Sequence, residues 1–153
     1  MSINLQSEPL FSMRFSLLPA ASVTVAGNKR GLGPIAGGTF SGPRLSGSVL
    51  PGGGDWYLSR ADDVTEADIR LMLSTDDGEI IAMSYSGLIQ GMSHIEAALA
   101  QGRCPDPADY RIRQVARFQA AGVNTWLNSV MAVGLGQMVI DPVGVEYSFY
   151  ELR

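Results

Sequence analysis

The chain has 153 residues, 46% of them hydrophobic, with a formal net charge of −4 and a pI near 4.8. That length suits one domain, residues 1–153, with a core of its own. The acidic balance argues against nucleic acid and anionic membrane surfaces, both of which call for a basic patch, and no apolar run approaches the ~20 residues of a membrane span.

In chain order, Met1 to Gln6 has no basic region followed by an apolar core, so no signal peptide is expected. Leu10 to Leu18 alternates, with Phe11, Met13, Phe15 and Leu17 on one face, and reads as a strand ending at Pro19. Ser22 to Val25 is a weaker strand, and Gly27 to Gly33 reads as a loop. The stretch Gly37 to Trp56, GGTFSGPRLSGSVLPGGGDW, holds seven glycines and two prolines. Thr39-Phe40 and Arg44 to Leu50 are strand-like within it. The turn Pro51-Gly52-Gly53-Gly54 has almost no side chain and delivers Asp55 and Trp56. Trp56 to Arg60 reads as another strand.

Asp68 to Thr75 and Glu79 to Ser86 flank Asp76-Asp77-Gly78, the strongest hairpin signal in the chain. Ile69, Leu71 and Leu73 share one face of the first arm, which leaves Arg70 on the other. Ser93-His94-Ile95-Glu96 has the form of a capping box, predicting a helix over Ser93–Gln101 with Ser93 as N-cap. Ile112 to Gln119, Leu127 to Gln137 and Val143 to Leu152 read as three further strands. The sum is an all-β fold: one antiparallel barrel of about eight to ten strands with one short helix, wide enough for one small ligand.

Residue scarcity narrows the chemistry. There is one His (His94), one Lys (Lys29) and one Cys (Cys104). A His/Cys zinc site needs three or four such ligands from one chain, so no tightly bound transition metal is expected, while an all-carboxylate Mg²⁺ or Ca²⁺ site stays open; with no Walker loop or GxGxxG after a strand, no tightly held cofactor is expected either. Cys104 has no partner for an intrachain disulfide, and a cytoplasmic protein is the simple expectation. His94 falls in the first turn of the helix, where the dipole disfavours its protonation, and reads as exposed and non-catalytic.

The residues left for catalysis are Asp, Glu, Tyr and Arg. Asp55 offers a general base and Trp56 a flat apolar wall beside it. Arg70 and Arg113 are candidates to stabilise a developing oxyanion, and Arg117 shares the Arg113 face. Tyr85 is a candidate acid or oxyanion donor, Trp126 a stacking wall and Asn128 a second donor. The expectation is that Asp55, Trp56 and at least one of Arg70 and Arg113 line a common cavity. Two functions fit: a cofactor-independent isomerase, cyclase or lyase acting on a small oxygenated, partly apolar molecule, or a non-catalytic carrier or sensor for such a ligand. The partner is then a small molecule; composition leaves a homo-oligomer open.

The motifs together resemble the domain-of-unknown-function family 3237, also called uncharacterised protein family 0311. The resemblance rests on GGTFSGPRLSGSVLPGGGDW, on Asp68 and Arg70 before Thr75-Asp76-Asp77-Gly78, on Pro107 to Phe118, and on Trp126-Leu127-Asn128 with Val133-Gly134-Leu135-Gly136. It implies a small β-barrel and no settled activity. The chain departs from the family pattern at Arg111-Ile112-Arg113-Gln114, usually Tyr-Phe-Arg-Thr. It departs again at Leu71, usually Tyr, and at Ala116 to Ala120, where Gln119 replaces a carboxylate. Those departures imply a ligand different from that of relatives.

Overall fold

The computed structural model describes residues 1–153 as strands β1 (Ser7–Leu17), β2 (Ala21–Val25), β3 (Asn28–Ser41), β4 (Ser46–Val49), β5 (Gly54–Ser59), β6 (Val64–Thr75) and β7 (Ile80–Gln90), helix α1 (Met92–Ala100), and strands β8 (Arg111–Ala120), β9 (Ala132–Val139) and β10 (Gly144–Leu152). Every pairing is antiparallel. The order runs β1-β10-β9-β8-β7-β6-β4-β3, and β3 pairs back onto β1, which closes the barrel. β4 and β5 occupy successive parts of one row between β3 and β6. β2 lines β3 beyond the end of β1. No helix is long and apolar enough to cross a membrane.

Alternation explains the closure. β6 buries Ile69, Leu71 and Leu73 and exposes Asp68, Arg70 and Met72; β8 buries Ile112, Gln114, Ala116 and Phe118 and exposes the residues between. Seven aromatic rings stack through the centre: Phe11 packs on Phe40, Phe118 and Phe149, Phe15 on Tyr147, and Tyr85 on both Tyr147 and Phe149. Burying each such ring contributes roughly 1.5–3 kcal/mol. Gly134 and Gly136 of β9 make this possible. They pair with Phe149 and Tyr147, and a Cβ there would fall 2.5 Å from the Phe149 ring and 2.8 Å from the Tyr147 ring.

Three local expectations need correction. Gly27–Gly33 is not a loop: Asn28 onward belongs to β3, because β2 and β5 hydrogen-bond it on both edges. The helix starts at Met92, not Ser93, and has no side-chain cap of its own; Gly91 at φ 82° is the N-cap. Asp63 does the capping instead, accepting hydrogen bonds from the Ser93 backbone N–H (2.9 Å) and hydroxyl (2.7 Å). Finally, Leu127–Gln137 is not one strand. A 3₁₀ segment over Gly122–Ser129 buries Leu127 against one end of the core, and β9 begins only at Ala132. The Asp76-Asp77-Gly78 hairpin forms as its sequence predicts, with Gly78 at φ 89° and Thr75 Oγ1 donating to Asp77 Oδ1 at 2.7 Å.

Candidate active site

The glycine turn feeds Asp55 into the wall between β3 and β6. Asp55 pairs with Gly33 on one side and Ile69 on the other. Ile69 points into the core, so Asp55 does too. Beyond Asp55 the β5–β6 ladder lapses: paired residues resume only at Leu58 opposite Glu66. The Asp55 side chain enters that gap, where Oδ1 accepts the Asp68 backbone N–H at 2.9 Å. Its other oxygen has no hydrogen-bond partner.

Two glycines of β3 face this interior. At Gly31 the Tyr57 ring fills the space, and a Cβ would lie 2.2 Å from it. At Gly33, directly opposite Asp55, an added Cβ would meet no atom within 4 Å. The barrel therefore keeps an unfilled space next to the carboxylate. Burial pushes the Asp55 carboxyl up to about 6; the hydrogen bond from Asp68 N–H opposes the shift without cancelling it.

Facing Asp55 across the interior are three sealed polar side chains: Tyr85 (2% exposed), Gln114 (1%) and Tyr147 (2%). The Tyr85 hydroxyl and both amide atoms of Gln114 make no close hydrogen bond, although the Tyr147 hydroxyl stands near both side chains. Leaving such atoms unpaired costs about 1–3 kcal/mol each, so the Tyr85–Tyr147–Gln114 cluster has hydrogen-bonding capacity to spare for a group entering from outside the chain. Burial raises the Tyr85 phenol well above its usual range, with Tyr147 and the Asp55 charge adding to it. Burial and the Asp55 charge raise Tyr147 as well. Both phenols are therefore neutral hydrogen-bond donors at ordinary pH. A half-buried carboxylate with one free oxygen, two neutral phenols and an orphaned amide can take a proton from carbon or oxygen and hold the negative oxygen that results.

The arrangement joins Asp55 with Tyr85 and separates them from the other expected residues. Trp56 is 56% exposed on the outside of the wall, beside a shallow recess lined by Leu18, Leu32 and Pro34. Arg70, Arg113 and Arg117 all project outward, for the same alternation that buries their neighbours. Arg113 donates to the carbonyl of Ile112 at 2.8 Å. The expected common cavity of Asp55, Trp56 and an arginine is thus corrected: period 2 puts consecutive residues on opposite faces of one wall. Trp126 lies half-buried beneath the Arg44 guanidinium, 3.8 Å from the ring centroid, at the end closed by the 3₁₀ segment. Asn128 spends its amide on the Ala120 backbone, accepting at 2.7 Å and donating at 2.9 Å. His94 is exposed. No three His, Cys, Asp or Glu side chains gather closely enough to hold a metal ion.

Gln114 and Tyr147 are the members that sequence reasoning missed. A signal existed for the first. Gln114 shares the parity of Ile112, Ala116 and Phe118, so it is a polar residue on a core-facing register. Tyr147 gave no comparable sign, because a Tyr among Val145 and Phe149 reads as packing.

Comparison with known proteins accords with this architecture. The model of a family described as "Protein of unknown function (DUF3237)" matches residues 5–152. A UPF0311 protein of Rhodopseudomonas palustris is 30% identical over 114 residues, 74% of each chain. A solved β-barrel-like protein from Acinetobacter baumannii superposes with a TM-score of 0.83 at 32% identity, covering 100% of this chain and 99% of that one. A protein from Penicillium herquei described as an enzyme has a TM-score of 0.74 at 22% identity, covering 100% and 98%, a likeness of fold alone.

Proposed function

The chain belongs to the DUF3237 family, and from the geometry at Asp55 we propose that it is a cofactor-independent acid–base enzyme, an isomerase, cyclase or lyase, for a small, oxygenated, partly apolar molecule. The observation that carries this reading is a carboxyl raised to about 6 beside an unfilled space and three unpartnered buried polar atoms. A base near neutrality is mostly ionised at pH 7 and still basic enough to accept a proton. Asp55 takes a proton from the carbon next to a carbonyl. The electron pair moves onto the carbonyl oxygen, which the Tyr85 hydroxyl and the Gln114 N–H hold as an enolate. Return of the proton to another carbon gives isomerisation, and expulsion of a β-oxygen, protonated as it leaves, gives elimination; in the reverse sense Asp55 takes the proton of an internal hydroxyl as its oxygen adds to the β-carbon of an enone, which forms the same enolate and closes a ring. The oxyanion role assigned to arginine on sequence grounds passes to the phenol and amide, since the arginines stand on the far side of the wall. Phe118, Phe149 and Ile69 supply the apolar surroundings.

The test is proton exchange. The protein is incubated in D₂O with a panel of α-hydroxyketones, aryl ketones and enones, and loss of the α-proton signal is followed by NMR. The expected outcome is exchange above the buffer rate for at least one class, rising through about pH 6 as Asp55 ionises. Asp55→Asn should lower that rate by about 10² or more. Saturable binding with no exchange in the unaltered protein would overturn the enzyme reading in favour of a carrier.

A further inference from the structure

We propose that the outer wall over β6, β7 and β8 carries a second small-molecule site, separate from the Asp55 niche, for an organic oxyanion with an apolar body. The wall is concave there. A hollow of about 1250 Å³ is bounded by the Pro51-Gly52-Gly53 turn on one side and by Asn128 to Met131 on the other. That is ample for a drug-sized ligand.

The floor has an ordered chemistry set by strand register. Arg70 pairs with Ser84, and Ser84 pairs with Arg117, so one serine lies between two arginines in a single row. Their Cα atoms are two strand spacings apart, about 10 Å, which two arginine side chains close over a shared anion. On one side of this row lie Met72, Ala82 and Gln119, with Met131 at the rim; on the other lie Asp68, Ser86 and Val115. Met72 and Met131 are 45% and 50% exposed, an apolar end for the ligand body. Asp68 stands about one strand repeat, roughly 6.8 Å, from Arg70 along β6 and forms no ion pair with either arginine. It disfavours an anion on its own side and directs the apolar body toward the methionines.

The charge inventory singles out these two arginines. The chain has 11 Lys and Arg residues. Arg14, Lys29, Arg44, Arg60 and Arg153 are in ion pairs. Arg30, Arg103 and Arg113 donate to backbone or amide oxygens. Arg70, Arg111 and Arg117 alone have neither. In a protein with more acids than bases, two of the three unpartnered cations flank one hydroxyl in the same hollow. A guanidinium pair with a serine donor recognises the oxyanion common to carboxylates and phosphates.

The experiment uses octanoate, octyl phosphate and octanol, below their aggregation concentrations, with the intact protein. Binding is read from the Arg Nε–H resonances and from calorimetry. The proposal predicts that one or both anions bind and shift the Arg70 and Arg117 signals, while octanol binds at least tenfold more weakly. Arg70→Gln and Arg117→Gln should each weaken the anion at least tenfold and reduce its salt dependence. Arg111→Gln, which removes an unpartnered arginine outside the hollow, should leave binding unchanged. A preference for octanoate or for octyl phosphate identifies the head group. Equal binding of anion and alcohol, or an equal loss in Arg111→Gln, would overturn the proposal; melting curves confirm that each variant is folded.

Discussion

Glu151 and Asp55 are both withdrawn from solvent, yet one is surrounded by cations and the other by phenols. Glu151 on β10 is 6% exposed and is held by Arg44 on one oxygen and Arg153, at 3.4 Å, on the other. Arg44 in turn covers Trp126, so the Gly-Pro-Arg-Leu turn, the β10 end and the 3₁₀ segment are tied together at one rim. Asp55 has no cation at all. It has one backbone N–H, an open space at Gly33 opposite it, and polar neighbours with hydrogen-bonding capacity to spare. The same side-chain chemistry serves cohesion where its charge is answered and is left reactive where it is not.

The largest expected effect tests the cohesive half. Glu151→Ala removes a buried side chain with both its ion pairs, leaving Arg44 unpaired and Arg153 with Glu8 alone, and should cost about 3 kcal/mol. Urea unfolding at pH 7 measures it; a loss no larger than that of an exposed pair would show that the rim network does not hold the barrel together. The reactive half has the opposite sign. The folded state raises the Asp55 carboxyl, so its stabilising contribution is fully present below about pH 4 and is lost as pH rises through about 6. Asp55→Asn keeps the acceptor for Asp68 N–H and removes the buried charge. It should therefore match the parent near pH 4 and exceed it by up to about 3 kcal/mol at pH 8, a gain in stability accompanied by loss of exchange activity. Equal stabilities at both pH values would contradict the account.

Smaller effects separate the filled glycines from the empty one. Gly134→Ala drives a methyl into the Phe149 ring and should cost about 1–2 kcal/mol in thermal unfolding. Gly33→Ala enters open space at a pairing position and should change stability by less than about 0.5 kcal/mol, while crowding any ligand beside Asp55. A large loss at Gly33 would mean that the space does not exist.

The barrel was legible because alternation is strong in β1, β6, β8 and β10 and because the Asp76-Asp77-Gly78 turn sets its hairpin without help. The 3₁₀ segment was not, since Trp126 and Leu127 look alike in a strand and in a short helix. Asn28 to Gly33 looked like loop because its strand character comes from β2 and β5 on either edge, which is tertiary information. At the site, the glycine turn leads straight into Asp55, and that much is visible in the sequence. The inward parity of Ile69, Leu71 and Leu73 already implied that Arg70 faces out. What no local pattern carried was the meeting of Asp55, Tyr85, Gln114 and Tyr147, drawn from four strands by closure of the sheet.

The central claim is that Asp55 is a carboxyl held near neutrality without a compensating cation. A ¹³C NMR titration of the aspartate carboxyl carbons, with Asp55→Asn to assign the signal, measures this directly. The account predicts a midpoint of about 6 for Asp55; a midpoint at or below about 4, the ordinary range for an aspartate, would contradict it.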